Sequence, residues 1–196
     1  MVAQHINHPC IFTWGILNEC ADNTPFGASC YAALFRLLRE LDPSRPVTTA
    51  MLSRQESLVI PDCDLISMNL YPCWSVDADC NAYIEDMRAW AQSKSEAPKP
   101  YIVSEIGAGA IYGFHDMNHA KWSEERQADI LREQLEAVLG NTHIAGVCGL
   151  PRGRQLVRGS AQDAEQQGHC GCIPPAEAGL AGCKGYFQHI LRGAAV

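Results

Sequence analysis

Two glutamates stand out because each closes a short apolar run. Ile11-Phe-Thr-Trp-Gly-Ile-Leu17 leads into Asn18-Glu19, and Pro100-Tyr-Ile-Val-Ser leads into Glu105. Hydrolysis of a glycosidic bond with retention needs two carboxyl groups ~5–5.5 Å apart across the sugar, one to protonate the leaving oxygen and one to attack the anomeric carbon. Two strand-end glutamates on one face of a parallel α/β barrel can supply that spacing, since chemistry in such barrels sits at the carboxyl ends of the strands. A pair of ordinary ion-paired glutamates is the plainer reading. Position alone does not separate the two.

The elements that must position these groups follow from apolar spacing. Ile11 to Leu17 is nearly continuous in apolar character, as a strand buried on both faces is. After a Gly/Pro-containing loop, Leu34, Leu37, Leu38 and Leu41 recur at helical spacing from Tyr31 to the stop at Asp42-Pro43. Pro46 to Thr49 suits a second strand. Asp64 to Asn69 suits a third, entering a loop with Tyr71 and Trp74. Asn81 to Ala91 has a helical pattern, with Tyr83, Ile84, Met87 and Trp90 on one side. Pro100 to Glu105 is a fourth strand. Ser123 reads as an N-cap with Glu124 and Glu125 favourable in the first turn, opening a helix to about Leu139. Ile144 to Cys148 begins a fifth strand. Strands alternating with helices predict a parallel sheet in an α/β fold.

Composition narrows the class. The chain has 196 residues, 47% hydrophobic and 19% charged, with a net charge of -7, as expected of a globular protein. An acidic surface does not attract nucleic acid or anionic membranes, so neither is expected as a partner. No apolar run reaches the ~18 residues of a membrane span. The start, with Gln4, His5, Asn7 and His8, has neither the basic region nor the apolar core of a secretory leader, which predicts a cytoplasmic location. Ten cysteines are many for such a protein. Cys10, Cys20, Cys30, Cys63, Cys73, Cys80 and Cys148 lie along or beside apolar segments, where free cysteine behaves as a small hydrophobe; buried thiols are expected rather than a disulfide framework.

The blocks around the two glutamates decide more than the glutamates do. Asn18-Glu19 after a strand containing Trp14, then Asn69-Leu-Tyr71-Pro-Cys-Trp74, then Ser104-Glu105-Ile-Gly107, resemble glycoside hydrolase family 2. His8-Pro9, Leu41-Asp-Pro-Ser-Arg-Pro46 and Trp122-Ser-Glu-Glu125 extend the resemblance over roughly residues 5 to 148, most strongly to its β-glucuronidase branch. It implies part of a (β/α)8 TIM barrel, about strands four to eight, in residues 1–148. It also implies Glu19 as acid/base and Glu105 as nucleophile. Asn18 would hydrogen-bond the sugar 2-hydroxyl, and Asn69 would belong to the same substrate-binding set. Tyr71 would orient the nucleophile. Trp74 would form part of the sugar platform or pack as a loop aromatic. The acid must stay protonated while the nucleophile stays ionised, so their surroundings must push the two pKa values apart. No metal or organic cofactor is required. One departure is Ile106, where glucuronidases commonly carry Tyr; it loosens the assignment of the sugar.

Residues 149–196 change character. The stretch to 185 is rich in Gly, Arg, Gln, Cys and Pro, with no regular period. His169-Cys170-Gly-Cys172 with Cys183 matches no standard four-ligand zinc spacing. Codons from Ser160 to Ile190 read one base later permit a string that resembles the C-terminal end of the family 2 barrel, including Asn-x-Lys, the element with which glucuronidases bind the substrate carboxylate. The tail is therefore expected to be an irregular frameshift product. Without the remaining barrel strands the sheet has unpaired edges, and the isolated chain is expected to be poorly soluble and inactive. The leading substrate is a β-glucuronide and the runner-up a β-galactoside. Another two-glutamate barrel glycosidase, a non-catalytic fragment and a small metal-binding cysteine protein are the competing readings. Oligomers are possible for a full-length protein.

Overall fold

The computed structural model describes residues 1–53, 55–149 and 171–172. The elements run α1 (Val2–His5), β1 (Trp14–Asn18), α2 (Pro25–Leu41), β2 (Val47–Leu52), a 3-10 turn (Ile60–Asp62), β3 (Ile66–Asn69), α3 (Cys80–Gln92), β4 (Tyr101–Glu105), α4 (Glu124–Gly140), β5 (Gly146–Gly149) and β6 (Gly171–Cys172). The strands follow chain order in one sheet, and β1 with β2 and β2 with β3 pair in parallel. Helices follow β1, β3 and β4, while a 3-10 turn separates β2 from β3, which gives the α/β alternation that the sequence predicts. Cα packing divides the chain into two compact units, Met1–Asn69 with Glu85–Ile102, and Leu70–Ile84 with Val103–Val196.

In the first unit α2 packs against β2, with Tyr31, Phe35 and Leu38 of the helix and Val47 and Met51 of the strand all buried. Its start is earlier than the leucine spacing suggests. Pro25 occupies the first turn, where its missing N–H costs nothing, and the Thr24 side chain caps the Gly27 N–H at 3.0 Å. Gly27 is required there, because a Cβ would lie 1.7 Å from the Ala21 carbonyl oxygen. At the other end, Asp42 is 1% exposed and gathers four hydrogen bonds. Trp14 Nε1 donates at 2.8 Å, the Ser44 N–H at 3.0 Å, Ser44 Oγ at 2.5 Å and Arg45 at 2.6 Å. Donation from Ser44, then Trp14, holds the Asp42 carboxyl far below the usual carboxylate range.

Strand β1 departs from expectation. It begins at Trp14, and of its five residues only Trp14 is buried, with Leu17 45% exposed. Among the described residues β1 pairs with β2 alone, so it lacks the second cover that a doubly buried strand has.

The second unit is built on α4. The Ser123 side chain accepts the Arg126 N–H, and Ile130, Leu135 and Val138 form the buried stripe. β5 pairs with β6 in the antiparallel sense, Cys148 opposite Cys172; neither this pairing nor a strand in the tail was expected. Residues 150–170 and 173–196, with the shifted-frame reading and the His169, Cys170 and Cys183 group, lie outside the described residues. Among the described residues no helix is long and apolar enough to cross a membrane.

The cysteines separate by environment. Cys63, Cys80 and Cys148 are buried and Cys73 half-buried, but Cys10, Cys20 and Cys30 are exposed, so the packing reading fails for these three. They sit in turns or on the outer side of α2, beside apolar runs rather than within them. Burial pushes the Cys63 thiol up to about 12, as an inert core residue requires.

Asp42→Ala should lower the urea midpoint more than Arg39→Ala. Arg39 meets Asp64 in a surface pair (2.8 Å, 41% and 39% exposed) of a kind worth ~0.2–1 kcal/mol. Equal midpoints would show that the Asp42 cluster contributes nothing special.

Candidate active site

The first glutamate lies just beyond a β-bulge. Gly15 pairs with Thr48 and Asn18 with Ala50, so three steps along β1 oppose two along β2. The extra residue is absorbed at Leu17, whose φ of 54° is left-handed, and Glu19 follows at φ 50°. Non-glycine residues adopt such values only where neighbours hold them. Here Thr49 Oγ1 donates to the Leu17 carbonyl at 3.1 Å and the Glu19 N–H to the Ala50 carbonyl at 2.9 Å.

Asn69, at the end of β3 and 0% exposed, fixes both polar side chains. Its Nδ2 donates to Asn18 Oδ1 at 3.1 Å and to Glu19 Oε1 at 2.7 Å. An amide nitrogen has two hydrogens, and both are used here. The structure thus brings Asn18, Glu19 and Asn69 together, with Asn69 as a buried brace and Asn18 and Glu19 at the exposed side.

The second glutamate is held within the other unit. Glu105 ends β4, its carbonyl accepting the Leu70 N–H at 2.8 Å. The Tyr71 hydroxyl donates a short hydrogen bond to Glu105 Oε2. Trp74 packs edge-on against Trp122, with centroids 4.6 Å apart and planes at 86°, and the Lys121 ammonium sits 4.8 Å from its ring centre. Gly109 passes beneath this pair. A Cβ there would lie 2.7 Å from the Trp122 ring and 2.9 Å from the Trp74 ring. Trp74 thus packs as a loop aromatic within this unit.

Sequence reasoning missed Gln134. It sits mid-helix on α4, 0% exposed, and its Nε2 donates to the carbonyls of Pro72 at 2.7 Å and Gly107 at 3.2 Å. It thereby joins the loop after β3, which carries Tyr71, to the loop after Glu105. The available signal was a glutamine on the apolar stripe, in step with Ile130 and Val138. In the first turn of α4, Glu124 accepts the Gly113 N–H at 2.8 Å, while Glu125 accepts the Asp116 N–H at 3.0 Å and meets His115 Nδ1 at 2.7 Å. The Asp116 N–H, then His115, bring the Glu125 carboxyl down to about 2, and Glu125 raises the His115 imidazole above its usual value.

Residues 1–145 match the family described as glycosyl hydrolases family 2, TIM barrel domain. The chain belongs to this family. It is 33% identical over 139 residues to a β-glucuronidase of Sus scrofa, covering 68% of this chain and 21% of that protein. A family 2 β-galacturonidase from Eisenbergiella tayi, solved bound to galacturonate, superposes with a TM-score of 0.73 at 41% identity, over 76% of this chain and 27% of that one. A β-D-glucuronidase from Dictyoglomus thermophilum gives 0.66 at 28% identity, over 76% and 26%. The chain thus spans 21% to 25% of the first curated relatives it matches.

Gln134→Leu, close in volume but without the donor, leaves two carbonyls unpaired and should cost ~1–3 kcal/mol in urea unfolding; a neutral result would remove the role given to that amide. The His115–Glu125 contact predicts a pH window. The carboxyl contribution is present above the ordinary 4.5 and fades as pH falls towards about 2. The imidazole contribution is complete below the ordinary 6.5 and fades as pH rises through its raised value. Asp116 amide protection, corrected for intrinsic exchange, should be greatest between these two ordinary values, and His115→Asn should lose the alkaline limb while keeping the acid one.

Proposed function

We propose that this chain carries the catalytic glutamates of a retaining β-D-hexuronide hydrolase, with β-glucuronides as the leading substrates. The observation that carries the reading is the separate tethering of each glutamate by a neutral donor. Glu19 Oε1 is held by the Asn69 amide at 2.7 Å, and Glu105 Oε2 by the Tyr71 hydroxyl. Each carboxyl plane is oriented by its tether, as chemistry that depends on carboxyl placement requires.

In this reading Glu19 protonates the glycosidic oxygen while Glu105 attacks the anomeric carbon, forming a glycosyl ester. Glu19, now ionised, takes a proton from the incoming water, whose oxygen releases the sugar from Glu105. With its Oδ1 engaged by Asn69 at 3.1 Å, Asn18 presents its NH2 group to the sugar 2-hydroxyl. The names of the similar proteins favour a uronic acid over a neutral sugar, which moves the β-galactoside down the order. A β-galacturonide is the second reading. It is favoured by the 41% identity to the galacturonate-bound structure and by Ile106, buried at 2% exposure, where glucuronidases commonly carry Tyr.

The test uses a folded polypeptide in which this segment is completed to a closed barrel, with residues 1–196 alone as the proposed inactive control. A 2-deoxy-2-fluoro β-glucuronide should leave its label on Glu105. Glu105→Gln should lower kcat/KM by ~10⁴-fold or more and Tyr71→Phe by about 10²-fold. Label on another residue, or none on the folded protein, sinks the assignment and favours a non-catalytic role. Relative kcat/KM on aryl β-glucuronide, β-galacturonide and β-galactoside decides the sugar.

A further inference from the structure

A cluster unused by the hydrolytic reading lies in the second unit. Cys73, in the loop after β3 at φ 63°, and Cys80, the first residue of α3, bring their sulfurs to 3.0 Å. Glu133 of α4 completes the group, and the two sulfurs and a carboxylate oxygen all lie within 4.8 Å of one another. The two sulfurs are in hydrogen-bond contact, with either thiol able to donate, so both point into one shared space with the Glu133 carboxylate. The Cys73 sulfur also faces the Ala78 carbonyl at 3.3 Å, and Arg126 stands 3.9 Å from Glu133.

We propose that Cys73, Cys80 and Glu133 bind one zinc ion. Zn–S bonds of ~2.3 Å and Zn–O bonds of ~2.0–2.2 Å in a tetrahedron set ligand atoms roughly 3.4–3.8 Å apart. Small side-chain rotations bring this trio to that spacing. Three protein ligands leave one position for water. Two sulfur donors select zinc over magnesium or calcium, which take oxygen ligands. Binding is balanced by the release of two thiol protons, giving two thiolates and one carboxylate around the dication. Burial raises both thiols, so uptake should strengthen as pH rises.

The role is structural. Cys73 lies two residues beyond Tyr71 and adjoins Trp74, so the ion would fasten the loop carrying both to the helix on each side. It takes no part in bond breaking, and the site stands or falls independently of the hydrolase reading.

The reduced protein, stripped of metal, is titrated with zinc and with cobalt(II). The expected result is one tight equivalent, two protons released per zinc near neutral pH, and a thiolate-to-cobalt charge-transfer band in the near ultraviolet. Cys73→Ser and Cys80→Ser should each abolish the band, and Glu133→Gln, on an exposed side chain that folding does not need, should weaken uptake while keeping it. Cys170→Ser and Cys183→Ser should leave the band unchanged. Absence of the band in the reduced wild-type protein, or its survival in Cys73→Ser, overturns the proposal. So does a two-proton mass loss joining Cys73 to Cys80 with no metal uptake, which would make the pair a disulfide.

Discussion

A buried carboxylate with four donors organises the first unit. Asp42 follows the last turn of α2, yet Trp14 at the start of β1 donates to it at 2.8 Å and Arg45 at 2.6 Å. Arg45 Nε in turn donates to the Ile11 carbonyl at 2.8 Å. One side chain thereby fixes where the helix ends, where the next turn goes and where β1 begins. Leaving such a charge buried and unpaired is costly, so these choices are made together. Everything downstream in β1, including the bulge and Glu19, is counted from that anchor.

Each unit holds its glutamate by a comparable device from a different source. The first uses an amide at the end of β3, the second a phenol one residue beyond Leu70. Neither donor carries formal charge. Each donor sets the orientation of the carboxyl it meets. Gln134 plays the same part at one remove, spending its two N–H bonds on backbone carbonyls instead of on a carboxylate.

Much of this was legible in the sequence, and the failures have physical causes. Glu105 at a strand end, the Ser123 cap and the leucine face of α2 all follow from local rules, because each depends on neighbours in sequence. The first two turns of α2 were missed because Pro25 and Gly27 look like loop residues, whereas one suits a helix start and the other is demanded by the Ala21 carbonyl. The exposure of Leu17 depends on sheet position, which an apolar run does not encode. The brace at Asn69 joins residues 51 and 50 apart in sequence, and only the family resemblance, not periodicity, placed it near the glutamates. The cysteines misled most, since adjacency to apolar residues says little about which side of a helix a thiol occupies.

The bulge in β1 makes the site a matter of parity. Along a regular strand, side chains alternate between faces, and an odd or even count decides which face a residue serves. One surplus residue between Gly15 and Asn18 reverses that count for everything after it. What this stretch must fix is thus a number modulo two as much as an amino-acid type. A one-residue deletion that preserved every polar side chain would still turn Asn18 to the opposite face of the sheet.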